Sequence, residues 1–439
     1  MKKIINKYKY LILAGILILS FFLRFDNLYT WPRIGATFDE YAWTWLGINL
    51  IQHQMPESWS PHAAYKQYKL IVYQHTNFRL VKPYLEHPPL FGIVAGGFAL
   101  LNGVSDMYHV DIYHIRALAL LLGVASTLLV YLLVQKIYDV ENALLASFIY
   151  NIMPTVAVGS RLVQNENFFI PGFLFALYLT ATYLEKKQSR YRNIAAIVCG
   201  LLALAKVPWL TATFAIVGIL LVGKRYKDIP KFLGIVVPIF MIFFVYGIYF
   251  DAKLFSTLWQ LQLQRYDLMF NSFFAIFTDP LLTDRRYIDG WVFFGWFAMV
   301  LLCTKDYKKN VFVIMPFFAY FAVYLFAIPN EPGHGWYRYP FNPFFAIAIT
   351  VFLKEYFVKN FFLTFMFLVF TGMSMLQNSW VYTFGFSFFV MRFFLVLFGL
   401  SALPGFFPFV RKPAAVVSYC SFVIVALLSI WSILSYTEQ

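Results

Sequence analysis

Apolar stretches of bilayer-spanning length recur along nearly the whole chain, and no motif constrains the fold as much. They lie near 10–27, 114–135, 142–158, 167–184, 193–206, 207–223, 231–250, 290–304, 310–328, 338–353, 360–376, 384–402 and 414–433. A helix needs about 20 apolar residues to cross the hydrocarbon core, so the pattern predicts an all-α polytopic membrane protein with about 13 transmembrane helices. Residues 193–223 read as two helices meeting at a turn, because Lys206 and Pro208 interrupt them. Composition agrees: 61% of residues are hydrophobic and 13% charged, whereas a soluble domain carries about 25% charged residues. Tyr and Trp, frequent here, favour the two membrane interfaces. Cys199, Cys303 and Cys420 all fall inside apolar runs and suggest neither a disulfide framework nor a zinc site.

The formal charge of +14 belongs to loops between spans, so the expected partners are membrane lipids and not nucleic acid. The first run follows Lys2, Lys3, Lys7 and Lys9, but residues 19–24 offer no A-x-A-like cleavage site, so it reads as a retained span. Sidedness turns on the short, Gly-rich run 88–104. If it does not span, the clusters Lys186–Lys187–Arg190–Arg192, Lys224–Arg225–Lys227 and Lys305–Lys308–Lys309 all fall inside, as the positive-inside rule demands. It is therefore expected to lie on the outer interface. Two large outer segments follow, 28–113 and 251–289, with a shorter one at 329–337. All seven histidines lie on that side or at its boundary.

The chemistry-bearing residues gather in these segments. Asp39 and Glu40 open a helix running to about His53, with Tyr41, Trp45 and Ile48 on one face suited to a membrane surface. Asp39 reads either as a helix cap or as a carboxylate general base. Successive helical residues point about 100° apart, so Asp39 and Glu40 are not expected to act as a dyad. Glu86 and His87 precede Pro88 and Pro89, which pre-set the start of the next helix. Arg161 and Glu166 mark a turn between spans. Lys206 interrupts the otherwise uncharged stretch 193–223. A central charge costs roughly 2.5–3.5 kcal/mol on insertion scales, so Lys206 calls for an anionic partner: a carboxylate such as Glu166, or a lipid phosphate. His334, Tyr337 and Arg338 open a later span, and the planar guanidinium suits phosphate. The 251–289 segment adds Arg265, Arg285, Arg286, Asp267, Asp279, Asp284 and Asp289, read as mostly solvated.

Taken together, these features resemble the GT-C superfamily of membrane glycosyltransferases, and within it the protein O-mannosyltransferases and lipid A aminoarabinose transferases. The likeness rests on the Asp39–Glu40 pair after a first span and on Glu86 before the prolines. It continues through Arg116 at a span start, Pro154 followed by Ser160, Arg161 and Glu166, then Lys206, and Tyr337-Arg338-Tyr339-Pro340-Phe341. It covers about residues 10–350. It implies a catalytic module over 1–353, including the outer segments, and C-terminal transmembrane helices over 354–439. It also implies a polyprenyl-phosphate sugar donor, used on the outer face of the cell membrane, and an acceptor hydroxyl on a glycan, lipid or protein. Asp39 is then the catalytic base. Glu40, Glu86, His87, Arg161, Glu166, Lys206, His334, Tyr337 and Arg338 are the substrate-binding candidates, with Lys206 and Arg338 on the donor phosphate. His87 departs from the aminoarabinose transferases, which carry Lys there. The Asp39–Glu40 pair lacks the D-x-D spacing of metal-dependent oligosaccharyltransferases, which leaves a divalent metal as an open alternative with no assigned ligands.

The rival class is a transporter or flippase for a lipid-linked sugar. Transporters place polar groups near the midplane, often between repeats. Here the charges gather toward one face and no repeat is visible. A non-catalytic assembly partner ranks last, because the acids and cations are retained.

Overall fold

The first apolar run folds as a helix, α1 (Lys2–Phe25), and a loop leads to α2 (Asp39–His53). The computed structural model describes residues 2–264, 276–277, 282, 289–327, 334–375 and 385–437. After α2 come β1 (Ser58–Trp59), β2 (Tyr68–Tyr73) and β3 (Thr76–Val81), then α3 (Leu90–Leu101) and α4 (Ile112–Ile137). Next are α5 (Val140–Ile152), α6 (Pro154–Gly159), α7 (Asn165–Lys186), α8 (Ser189–Ala203), α9 (Thr211–Val222) and α10 (Ile229–Gln264). The chain closes with α11 (Gly290–Cys303), α12 (Val311–Ala327), α13 (Asn342–Glu355), α14 (Phe361–Met375), α15 (Phe388–Gly399) and α16 (Arg411–Leu434).

Among the described residues, six helices are long and apolar enough to cross a membrane: 5–25, 112–137, 165–186, 226–264, 388–405 and 408–434. Five shorter apolar helices accompany them. The sequence suggested about 13 spans; several of those runs form described helices of only 12–17 residues, and two runs are broken. Run 142–158 splits because Pro154 forces the preceding residue, Met153, into an extended conformation. Run 193–223 splits into α8 and α9 across a 3-10 turn at Val207–Leu210, as Lys206 and Pro208 predict. Inside α10, Asp251 leaves helical geometry and its carboxylate accepts from Leu254 N at 2.9 Å, restarting the helix.

The sequence predicted only helices between residues 28 and 113. The structure adds a three-stranded antiparallel sheet there, in the order β1-β3-β2. Strands β2 and β3 carry the β-branched and aromatic residues that strands favour. Their two-residue turn is Gln74–His75, both at positive φ, without the Asn-Gly type of signal that marks such hairpins. The sheet also corrects the reading of α2. Tyr41, Trp45 and Ile48 are buried, and the Tyr41 and Trp45 rings meet Tyr73 and Phe78 at 5.2 Å. Protein, not membrane, covers that face.

On its other side α2 packs against α3 with almost no separation. A Cβ at Gly47 would lie 1.8 Å from the Gly92 carbonyl oxygen. At 12 residues α3 is about 18 Å long, well short of a core about 30 Å thick. Gly47→Ala is expected to destabilise the protein by about 1–3 kcal/mol, because packed helices must move apart. A lowered unfolding temperature in detergent checks this; an unchanged one would show that the contact is dispensable. The start of α3 is tied to the end of α8 by Leu90 N donating to Leu204 O at 3.0 Å. That bond brings Glu86, His87 and Lys206, distant in sequence, to one place.

Candidate active site

A cavity of about 820 Å³ opens where these elements meet. One wall is the loop and helix start from Arg33 to Asp39. A second is Trp59, the last residue of β1, with Pro61 and His62 after it. A third is Tyr84, Glu86 and His87, before α3. Lys206 and the 334–337 stretch, with His334, Trp336 and Tyr337, complete the lining. Six residues chosen from sequence therefore share one cavity: Asp39, Glu86, His87, Lys206, His334 and Tyr337.

Asp39 is not the cap of α2. The cap position is Phe38, without a side-chain hydrogen bond. Thr37 Oγ1 instead accepts from Asp39 N at 3.2 Å, and Gln164 Nε2 donates to the same oxygen at 2.8 Å. The Asp39 carboxyl lies on the cavity wall, with Gln164 beside it. Burial raises its pKa above the ordinary carboxylate value; His334 and Lys206 oppose the rise, and Glu166 adds to it.

Lys206 Nζ donates to Glu166 Oε1 at 2.8 Å and lies 4.7 Å from the Tyr337 ring centre. Glu166 is fully buried and stands behind Lys206, away from the cavity lining. Its carboxylate holds the lysine in place. Glu40 is likewise buried and outside the cavity lining. Both its oxygens pair with Arg116, Oε1 with Nε and Oε2 with Nη2, each at 3.0 Å, and both side chains are fully buried. Val163 N donates to the same Oε1 at 3.0 Å. Arg116 Nη1 also donates to Leu28 O at 2.9 Å and Pro32 O at 2.7 Å. One guanidinium thus fixes both the loop before Asp39 and the residue after it.

Arg161 is buried as well. Its Nη2 donates to Leu23 O and Ile433 O, at 2.9 and 3.2 Å, and its Nη1 to Trp31 O at 3.1 Å. Two of these carbonyls belong to the last turns of α1 and α16, where helices lack internal donors. Arg338 is buried, 4% exposed, and stays out of the cavity wall.

Glu86 is held by its own neighbours. Ser60 Oγ donates to its Oε1, and His62 Nε2 lies 3.6 Å from its Oε2. The His87 ring stacks at a tilt against Trp43, 5.3 Å between centres.

Comparison with known proteins bears on the fold. Residues 86–249 match the family described as dolichyl-phosphate-mannose-protein mannosyltransferase. The chain also superposes on ArnT from Cupriavidus metallidurans bound to undecaprenyl phosphate, with TM-score 0.57 and 14% identity, over 98% of this chain and 77% of that one. This is an integral membrane protein with the GT-C fold. The apo oligosaccharyltransferase of Archaeoglobus fulgidus is similar at TM-score 0.51 and 12% identity, over 94% of this chain and 56% of that one. Arabinosyltransferase EmbB from Mycobacterium smegmatis is similar at TM-score 0.50 and 13% identity, over 97% and 41%. No curated protein matches the sequence.

Arg33, Trp59, His62, Tyr84 and Trp336 line the cavity without having been chosen from sequence. Trp59 ends β1 and His62 follows it, so missing the sheet hid them. Arg33 belongs to a loop whose path depends on Arg116. Among the described residues, no group of three or more His, Cys, Asp and Glu side chains converges on a metal-sized site; the acids and imidazoles are spread around the wall. Of the 251–289 charges, Asp289 accepts from Trp291 N and Thr155 N, tying α11 to α6. Arg265, Asp267, Asp279, Asp284, Arg285 and Arg286 lie outside the described residues.

Proposed function

We propose that the chain transfers a sugar from a polyprenyl-phosphate donor to an acceptor hydroxyl, with inversion, on the outer face of the cell membrane. The observation that carries this reading is an uncapped carboxylate, Asp39, sharing a cavity with Lys206 and a second acid, Glu86. The ArnT structure on which the chain superposes holds undecaprenyl phosphate, a lipid phosphate of the donor's class. Asp39 accepts the proton of the acceptor hydroxyl, and the freed oxygen attacks the anomeric carbon from the opposite side to the phosphate. The bond from that carbon to the phosphate oxygen breaks, and polyprenyl phosphate leaves with the electron pair. Lys206, pre-set by Glu166, faces the developing charge, with Arg33 as a second cation on the wall. The basic segments between spans support an outward-facing cavity.

Purified protein in detergent, given a labelled polyprenyl-phosphate sugar and candidate acceptors, is expected to transfer the sugar or release it to water. Neither product at any pH would sink the reading. Turnover without two compartments would also exclude a pure transporter. The pH profile adds a further test. The base works ionised, so activity rises as pH passes upward through the Asp39 pKa. Since burial raises that pKa, the acid limb of kcat/KM lies above the ordinary carboxylate range. Lys206→Met is expected to move it higher still, because Lys206 lowers the Asp39 pKa more strongly than Glu166 raises it. A limb that stays put or moves down would detach Asp39 from the rate.

A further inference from the structure

The loop between α1 and α2 has neither helix nor strand from residue 26 to residue 38. It nevertheless carries Arg33 on the cavity wall and delivers Asp39 at its end. With no ladder to hold it, its path depends on what its backbone carbonyls meet. Arg116 takes two of them, Leu28 O and Pro32 O. Between these in the chain, Trp31 O accepts from Arg161 Nη1 at 3.1 Å.

Arg161 is also where the last helix ends. Its Nη2 donates to Ile433 O at 3.2 Å, and Asn27 Nδ2, from the loop, donates to Leu434 O at 3.1 Å. Both carbonyls belong to the final turn of α16, which a helix cannot satisfy by itself. Apolar contact reinforces the polar one. Leu23, Ala157, Val158, Ile433 and Tyr436 share a buried cluster apart from the main core, and Trp31 packs against it. Ala157 and Val158 belong to α6, whose end leads into Ser160 and Arg161.

The first helix, the turn after α6, the loop and the last helix therefore meet at one guanidinium, fully buried. Its bonds run to three backbone carbonyls, on Leu23, Trp31 and Ile433. A planar fork bound to backbone fixes chain segments relative to one another, whatever their side chains. None of these residues lines the cavity, so any effect they have on chemistry passes through the loop.

We infer that Arg161 is a positioning residue for the transfer site: it couples the end of α16 to the loop that bears Arg33 and leads to Asp39. The last helix then belongs to the working parts of the site, and the division at residue 353 suggested by sequence does not separate catalytic from accessory helices. This rests on the proposed glycosyl transfer.

The test uses full-length protein in detergent, a labelled polyprenyl-phosphate sugar and three variants. Arg161→Met removes the donors and keeps the stem. Ile433→Ala thins the cluster from the α16 side, 272 residues away in sequence. Val425→Ala is the control: Val425 is fully buried in the same helix, about two turns earlier, in the main core. All three are expected to lower the unfolding temperature. Arg161→Met and Ile433→Ala are expected to lower kcat ten-fold or more, with donor affinity within two-fold of wild type. They are also expected to speed amide hydrogen exchange in the loop 28–38 and leave β2 and β3 unchanged, the mark of local and not global opening. Val425→Ala is expected to keep kcat within two-fold and loop exchange at the wild-type rate. If Arg161→Met does not fold, Ile433→Ala and its control decide the comparison. Wild-type loop exchange in Ile433→Ala would overturn the inference, because α16 would not hold the loop. Equal loss of kcat in Val425→Ala would overturn it too, since activity would then follow stability alone. Faster loop exchange in Ile433→Ala, with no transfer or hydrolysis by the wild type under any condition, would keep the coupling and refute the transferase reading.

Discussion

Asp39→Asn is expected to lower sugar transfer by about 10²- to 10⁴-fold, the contribution typical of a positioned general base. The substitution keeps the side chain's size and removes only its capacity to take a proton. Stability is expected to change little, because Asp39 does not cap α2 and the hydrogen bond at that helix start runs from its backbone N–H to Thr37. Loss of a buried carboxylate whose pKa burial raises also removes a group that is costly to ionise. Polyprenyl-phosphate binding is expected to persist, since the cations on the wall remain. The decisive measurement is the single-turnover rate at saturating donor, alongside the unfolding temperature. Full activity in Asp39→Asn would refute the assignment, and Glu86, the second acid on the wall, would become the base to test.

The spans and the order of the acids were legible because hydrophobic periodicity and charge placement are local properties. The turn at Lys206 was legible for the same reason: a cation and a proline inside an apolar stretch leave few other outcomes. Sequence also named Glu166 as a partner for Lys206, and the structure shows that pair. What stayed hidden depends on tertiary contact. Glu40 and Arg161 look like interfacial charges available to substrate. Each instead completes a buried network whose other members lie 76 and up to 272 residues away. The sheet was hidden because its turn residues are atypical, and with it went Trp59 and His62. Trp45 shows the same limit: an amphipathic face predicts burial, but lipid and a covering sheet leave the same pattern in sequence.

Arg116→Met is expected to cost about 3–5 kcal/mol of stability, because it strands the Glu40 carboxylate without its partner in a fully buried site. The pair's value to stability and its value to activity are separable. Replacing both residues, as Arg116→Met with Glu40→Gln, removes the stranded charge and is expected to restore most of the unfolding temperature. Activity is expected to stay low in the double variant. The lost guanidinium also held Leu28 O and Pro32 O, so the loop carrying Arg33 to Thr37 loses its anchor. The amide oxygen that Glu40→Gln retains can still accept from Val163 N, but no guanidinium orients it toward that N–H, beside Gln164, which supports Thr37 at the start of α2. Asp39 sits between these anchors, and a misplacement of about 1 Å is enough to cost 10²-fold in rate. The loss should appear in kcat at saturating donor and acceptor, with donor binding near normal. If the double variant regains activity together with stability, the Arg116–Glu40 pair only keeps the protein folded. If stability returns and kcat does not, the pair aims the base.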